Sequence, residues 1–362
     1  MTEQRILLTT DVVGGVWDFC MVLARELRAS AQVTLLALGA PTPAQCQAAA
    51  ASGVDLRSVA LKLEWMRDAE ADLLETRRIV RDVARQVGAD VIHANQFAAA
   101  CADVEAPVVL TLHSDVLSWR RWTCATSDVP AEWQAYAALV REALGRADAV
   151  VAVSGFLARE IARLYAANRA FEVIHNGWPS PPPARARQDR ITLTAGRIWD
   201  AAKNIPLAAE AARGWEHGEV YLAGETAHPE GGHASVPAPL QPLGLLDRAR
   251  MDSWLRRASV YLSTASYDPF GLLPLQAALN GCALLLSDIP SYRELWDGAA
   301  CFFRSNDAAD LRHEWQTLLD DAYRLQAMQA AAYRRAAARY TSDAMARAYR
   351  GLYTRVRKRV AA

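Results

Sequence analysis

Short apolar runs alternate with longer helical patterns through the first half of the chain. The runs RILLTTD (5–11), QVTLLAL (32–38), DVIHAN (90–95), PVVLTLH (107–113), DAVVAVS (148–154) and EVIHNG (172–177) read as buried parallel strands. Between them, FCMVLARELRAS and DLLETRRIVRDVARQVG repeat apolar residues at i, i+3 and i+4, which predicts crossover helices. Strand and helix in alternation predict a doubly wound α/β domain over residues 1–177.

Periodicity then stops. GWPSPPPARARQDR (177–190) carries four prolines and several charges, so residues 178–189 read as a linker. Beyond it ITLTAG, EVYLAG, SVYLST, CALLLSD and ACFF are strand-like, with helices between, and predict a second Rossmann-like domain over 190–340. Open sheets of this kind bind ligands where the carboxyl ends of their strands face a crevice, and two such edges predict an interdomain cleft. The last segment, 341–362, is an amphipathic helix expected to pack back on the N-terminal domain.

Composition narrows the partners. The 362 residues are 52% hydrophobic, and 40 Lys and Arg balance 40 Asp and Glu, so no overall field recruits nucleic acid. No run reaches the roughly 20 apolar residues of a membrane span, and the N-terminus lacks a signal-type apolar core. The expected compartment is the cytoplasm, with peripheral membrane contact left open. Six cysteines at 20, 46, 101, 124, 282 and 301 form no metal-like spacing and read as free thiols.

The chemistry concentrates in YDPFGLLPLQ (267–276), which follows the SVYLST strand. YDPFG reads as a turn and LLPLQAALNG as a short helix, with Pro274 in its first turn and Gly281 as its stop. A helix that starts at the carboxyl end of a strand presents unpaired amides and a positive dipole end, which suit a phosphate. Gln276 lies about 6 Å further along the axis, while Asp268 projects from the turn. A turn acid and a helix-surface glutamine are the plain alternative. In the same domain AGRIWDAAKN leaves another strand end and supplies Arg197 and Lys203. Only three of the basic residues, 62, 203 and 358, are lysines, so a lysine here stands against the chain's arginine bias. Lys203 and Arg197 together could neutralise a diphosphate. In the first domain TTDVVGGVWDF joins strand to helix through Gly14 and Gly15, a turn that admits close backbone approach, but no G-x-G-x-x-G fingerprint is present.

Together the linker, GRIWDAAKN, LAG, YDPFGLLPLQAALNG and SYRELWDGAACFF resemble the retaining glycosyltransferases of family four, of GT-B architecture, over nearly the whole chain. That family carries an acid–x7–acid motif, whose two positions here are Asp268 and Gln276. Its Arg and Lys pair corresponds to Arg197 and Lys203, its glycine loop to Gly14 and Gly15, and its strand-end histidine to His113. The resemblance implies a nucleotide-diphosphate sugar as co-substrate, with no cofactor. Asp268 would bind hydroxyls of the donor sugar, the amides of Phe270, Gly271 and Leu272 would face phosphate or sugar oxygens, and Gln276 would meet the ribose. It further implies transfer with retention, the leaving phosphate itself deprotonating the acceptor hydroxyl of a saccharide or other small molecule. No D-x-D is present to carry a divalent ion, so Arg197, Lys203 and the helix end are expected to stabilise the diphosphate without metal.

His113 either orients the sugar or is structural. Trp17, Trp119 and Trp122 could stack on an acceptor ring, or simply pack in the core. Two other functions stay open: a non-catalytic nucleotide-sugar or saccharide-binding subunit, for which the amide at Gln276 argues, and a nucleotide-sugar epimerase, which would want more carboxylates and histidines.

Overall fold

The computed structural model describes residues 4–126, 128–180 and 189–360, so most of the linker read at 178–189 lies outside the described residues. The chain divides into two units, one of Met1–Ser118, Thr126–Pro179 and Ser342–Ala362, the other of Trp119–Ala125 and Ser180–Thr341.

In the first unit seven parallel strands form one sheet: β1 (Gln4–Asp11), β2 (Ala31–Leu38), β3 (Asp55–Val59), β4 (Val91–Ala94), β5 (Val108–Leu112), β6 (Ala149–Ala152) and β7 (Glu172–Val173). Their order is β3-β2-β1-β4-β5-β6-β7. The continuous apolar run of β1 reflects burial on both faces, Ile6 through Thr10 being buried without alternation. Helix α1 (Gly15–Leu27) follows β1 and buries Phe19, Cys20, Met21, Leu23 and Leu27. Helix α2 (Val116–Cys124) follows β5 and spans the division between the units.

The second unit repeats the plan with β8 (Asp189–Ala195), β9 (Glu219–Ala223), β10 (Gln241–Gly244), β11 (Ala258–Ser263), β12 (Ala283–Ser287) and β13 (Cys301–Phe303), all parallel, in the order β10-β9-β8-β11-β12-β13. Helix α3 (Leu272–Leu279) follows β11. On α4 (Ala308–Asp320) the buried Trp315 stacks on Trp215 at 4.0 Å and donates its indole N–H to Thr192 Oγ1 at 2.9 Å. The buried indole thus keeps a hydrogen bond at the centre of an otherwise apolar core. In each sheet the winding reverses beside the first strand, between β1 and β4 and between β8 and β11, and such reversals leave a crevice at the strands' carboxyl ends.

Helix α5 (Ala322–Arg339) belongs to the second unit, and after Tyr340 and Thr341 the chain enters α6 (Ser342–Val360), which packs on α1 in the first unit. Its buried residues Met345, Ala346, Tyr349, Leu352, Tyr353 and Val356 recur at helical spacing and define one apolar face. The start of α6 is tied down by Ser342, whose amide donates to Trp178 O at 3.1 Å and whose hydroxyl donates to Glu26 Oε1 at 2.6 Å. Polar atoms lie inside the contact too. His93 on β4 meets the Tyr353 hydroxyl through Nδ1 and Thr111 Oγ1 through Nε2, both at 2.7 Å, and Thr111 continues to the Tyr349 hydroxyl at 3.0 Å. Among the described residues no helix is long and apolar enough to cross a membrane.

Burial, reinforced by nearby His113, pushes the His93 pKa down from 6.5 to about 3. Between those values the unfolded chain binds the proton that the folded chain refuses, so this contribution to stability is complete above about pH 6.5 and drains as pH falls towards 3. Urea unfolding followed from pH 7 to pH 5 should therefore show a falling midpoint, and His93→Gln should fall less steeply. Equal slopes in the two proteins would place the acid sensitivity elsewhere.

Candidate active site

Strands β8 and β11 are hydrogen-bonded neighbours, with Leu193 opposite Tyr261 and Thr194 opposite Leu262, so the loops that leave them emerge side by side. The first loop carries Arg197 and Lys203. Arg197 Nη2 donates to Asp200 Oδ2 at 2.6 Å, and the buried Asp200 accepts on Oδ1 from the Ala202 amide and from Trp119 Nε1, both at 3.0 Å. Burial favours the protonated acid, but the charges of Arg197 and Lys203 and these donors outweigh it and hold Asp200 below the usual carboxylate range. Asp200 also starts the single helical turn Ala201–Lys203 that sets the lysine's position.

The second loop carries Asp268, and Lys203 Nζ donates to Asp268 Oδ2 at 3.0 Å. The same oxygen accepts from the Tyr292 hydroxyl at 3.2 Å, and Ser291 Oγ donates to the Asp268 backbone carbonyl at 2.6 Å. Tyr292 stays a neutral donor, because burial and then the Asp268 charge push its pKa well above the ordinary value. On the lysine side the Lys203 carbonyl accepts from Thr264 Oγ1 at 3.0 Å, which ties the two loops together a second time. Arg197, Lys203, Asp200 and Asp268 therefore form a cluster whose formal charges cancel. Donor capacity remains, since a guanidinium has five N–H groups and an ammonium three.

Gly271 caps α3 at φ +81°, where a Cβ would stand 3.0 Å from both Pro274 and Tyr292, so the turn from Asp268 into the helix needs a residue without a side chain. Helical geometry leaves the first amides of α3 without intrahelical acceptors. Phe270 is buried, its ring edge-on to Tyr340 at 5.5 Å, so its side chain anchors this turn. Gln276 is 5% exposed, and its side-chain amide makes no hydrogen bond among the described residues.

In the first unit, the loop after β1 has Gly14 at φ +89° as the start of α1, with Gly15 the first helical residue and both glycines exposed. The Val13 amide donates to Asp11 Oδ1 at 2.9 Å, which shapes the turn. Beyond the end of β5, His113 is partly exposed and its Nε2 lies 2.7 Å from Asn95 Oδ1, just beyond the end of β4. Burial pushes its pKa down to about 3, so the ring is neutral.

The tryptophans separate. Trp17 is only 6% exposed and packs as part of the buried face of α1, which leaves no open ring for an acceptor sugar. Trp119 is half-buried and its N–H is committed to Asp200, while Trp122 lies under the Arg121 guanidinium at 5.8 Å. Four residues that the sequence reading did not single out, Asp200, Ser291, Tyr292 and Asn95, hold the ones that it did. The signal for the first was the acid three residues before Lys203 within GRIWDAAKN; SYRELW contained the next two. Among the described residues no group of three or more His, Cys, Asp or Glu side chains is placed to hold a metal ion.

Comparison with known proteins bears on the fold. The family model for Glycosyltransferase Family 4 matches residues 13–179. No curated protein matches in sequence. HepE of Anabaena in complex with UDP-glucose superimposes with a TM-score of 0.77 at 17% identity, over 97% of this chain and 100% of that one. Sucrose-phosphate synthase of Thermosynechococcus elongatus gives 0.75 at 15% identity, over 98% and 99%. A glycosyltransferase of Rickettsia africae gives 0.72 at 14% identity, over 98% and 99%. Residues 13–179 thus match the model of glycosyltransferase family 4, and the chain as a whole has the GT-B fold.

Proposed function

We propose that the protein is a retaining glycosyltransferase that moves a sugar from a nucleotide-diphosphate donor to a hydroxyl of a saccharide or other small acceptor, without metal. The observation that carries this reading is the meeting of Lys203, Asp268 and the start of α3 at the reversal of the second sheet. There a diphosphate finds an ammonium, a guanidinium and free helix amides at once. The carboxylate that holds the lysine is the one placed to bind donor-sugar hydroxyls. Arg197, Lys203 and the amides of Gly271 and Leu272 stabilise the leaving diphosphate as the glycosidic bond breaks, a role that needs donors aimed at developing charge. Gln276 contacts the ribose. Its amide makes no hydrogen bond among the described residues, so a ligand hydroxyl has none of those to displace. On the first unit Gly14 and Gly15 let backbone approach a ligand, and His113 contacts a sugar hydroxyl.

HepE holds UDP-glucose, so UDP-sugars are the first donors to test. Incubation with a panel of nucleotide sugars should release nucleoside diphosphate, faster with acceptor than without. Binding without any release would favour the non-catalytic subunit, and acceptor-independent release with sugar isomerisation the epimerase.

Lys203→Ala should weaken UDP binding by about 1.5–3 kcal/mol, the scale of a charge-assisted hydrogen bond, and it also strands the Asp268 carboxylate near the phosphates. Adding Asp268→Asn to that variant should recover part of the loss. Calorimetry showing unchanged affinity for folded Lys203→Ala would sink the assignment.

Turnover should survive EDTA, because two cations and a helix end are asked to stabilise the leaving group. Collapse on chelation with rescue by Mg²⁺ or Mn²⁺ would contradict this.

Gln276→Glu should bind a UDP-sugar about 1 kcal/mol more tightly, since a carboxylate accepts from both ribose hydroxyls where an amide oxygen accepts alone. The gain should vanish for a 2′,3′-dideoxy nucleotide. Weaker binding by the variant would show that the amide serves another contact.

A further inference from the structure

The surroundings of His113 fix more than its position. Asn95 Nδ2 lies 2.7 Å from the Thr9 backbone carbonyl, an oxygen that can only accept, so this end of the amide is the donor. The Asn95 backbone amide donates to Thr9 Oγ1 at 3.1 Å, and the Thr9 hydroxyl donates to Gln96 Oε1 at 2.7 Å. With its amino end committed to β1, Asn95 turns Oδ1 towards His113. An amide oxygen only accepts as well, so the nitrogen 2.7 Å away, Nε2, carries the proton. A neutral imidazole has one N–H, and Nδ1 is left with its lone pair.

We propose that Asn95 is a positioning residue, holding His113 as the Nε2–H tautomer so that Nδ1 accepts a hydrogen bond from a sugar hydroxyl; this rests on the reading of His113 given above. Phe19 steadies the ring from α1, edge-on at 4.6 Å, and is itself packed against His93 and Tyr349. The titratable groups around the pair are His93 on β4, Cys20 on α1, whose sulfur is 3.4 Å from Asn95 Nδ2, and Asp11 beside Cys20. None of them gives His113 a carboxylate partner, and burial keeps it neutral. An aspartate at 95 would orient the ring equally well but would favour the imidazolium, whose Nδ1 cannot accept. Asparagine orients without charging.

The test uses the full chain labelled with ¹⁵N-histidine, the His113 signals being identified by their loss in His113→Asn. Two-bond ¹H–¹⁵N spectra should show His113 as the neutral Nε2–H tautomer from pH 8 to pH 5. In Asn95→Ala the two tautomers should mix, with kcat for transfer from a UDP-sugar down roughly tenfold, the usual scale for losing a residue that orients another. UDP affinity should stay within about twofold, since the diphosphate does not depend on this residue. In Asn95→Asp the Nε2–H should persist at high pH, while protonation of His113 moves up into the measured range and kcat gains an acid limb that the parent lacks.

An Nδ1–H or charged His113 at pH 7 in the parent would overturn the proposal. So would full transfer by both Asn95→Ala and His113→Ala, which would remove the sugar contact and leave the diphosphate site standing. If the parent transfers nothing, the transferase reading fails separately, and the tautomer, read without substrate, still decides the role of Asn95.

Discussion

The ion pair between Lys203 and Asp268 is the contact on which the second unit's site depends. The two residues are 65 positions apart and meet only because β8 and β11 are adjacent in the sheet although β9 and β10 lie between them in the chain. Parallel pairing sends both loops out of the same edge. The rest is local: Asp200 holds Arg197, a helical turn delivers Lys203, and Gly271 bends the chain from Asp268 into α3. Placing the pair where the winding reverses costs no special loop, because the crevice is already a property of the topology.

The pairing also changes the electrostatics from what the residues suggest one at a time. Arg197 and Lys203 read as two charges waiting for a diphosphate, yet each already faces a carboxylate. Ion pairs of this kind contribute little net stability once desolvation is counted. Their effect here is on geometry: Asp200 and Asp268 fix where the Arg197 and Lys203 donors stand.

Central strands were legible because β1, β5, β8, β11 and β12 are buried on both faces and read as short runs rich in apolar residues. The edge strands β3 and β10 were not. DLRSV has three polar residues in five, and QPLG contains a proline, which sheets tolerate at an edge. The site divides in the same way. In the second unit Arg197, Lys203, Asp268 and the start of α3 were singled out by residue type and by position after a strand, whereas Tyr292 meets Asp268, and in the first unit Asn95 meets His113, only once the chain is folded. Trp17, left open between stacking on a sugar and packing in the core, is turned inward by the helical spacing of α1. The separation of α6 from α5 rests on two residues, Tyr340 and Thr341, within an otherwise continuous helical pattern.

Helix α6 gives synthesis a direction. The second unit draws nearly all its residues from one uninterrupted stretch, so it can close as soon as that stretch has left the ribosome. The first unit begins earlier and finishes last: until Tyr349 and Tyr353 emerge, His93 and Thr111 lack their tyrosine partners and one face of α1 is bare. The opening half of this chain must therefore wait, incomplete, for its final nineteen helical residues, and a ribosome that stalls near the end leaves a finished second unit attached to an unsealed first one.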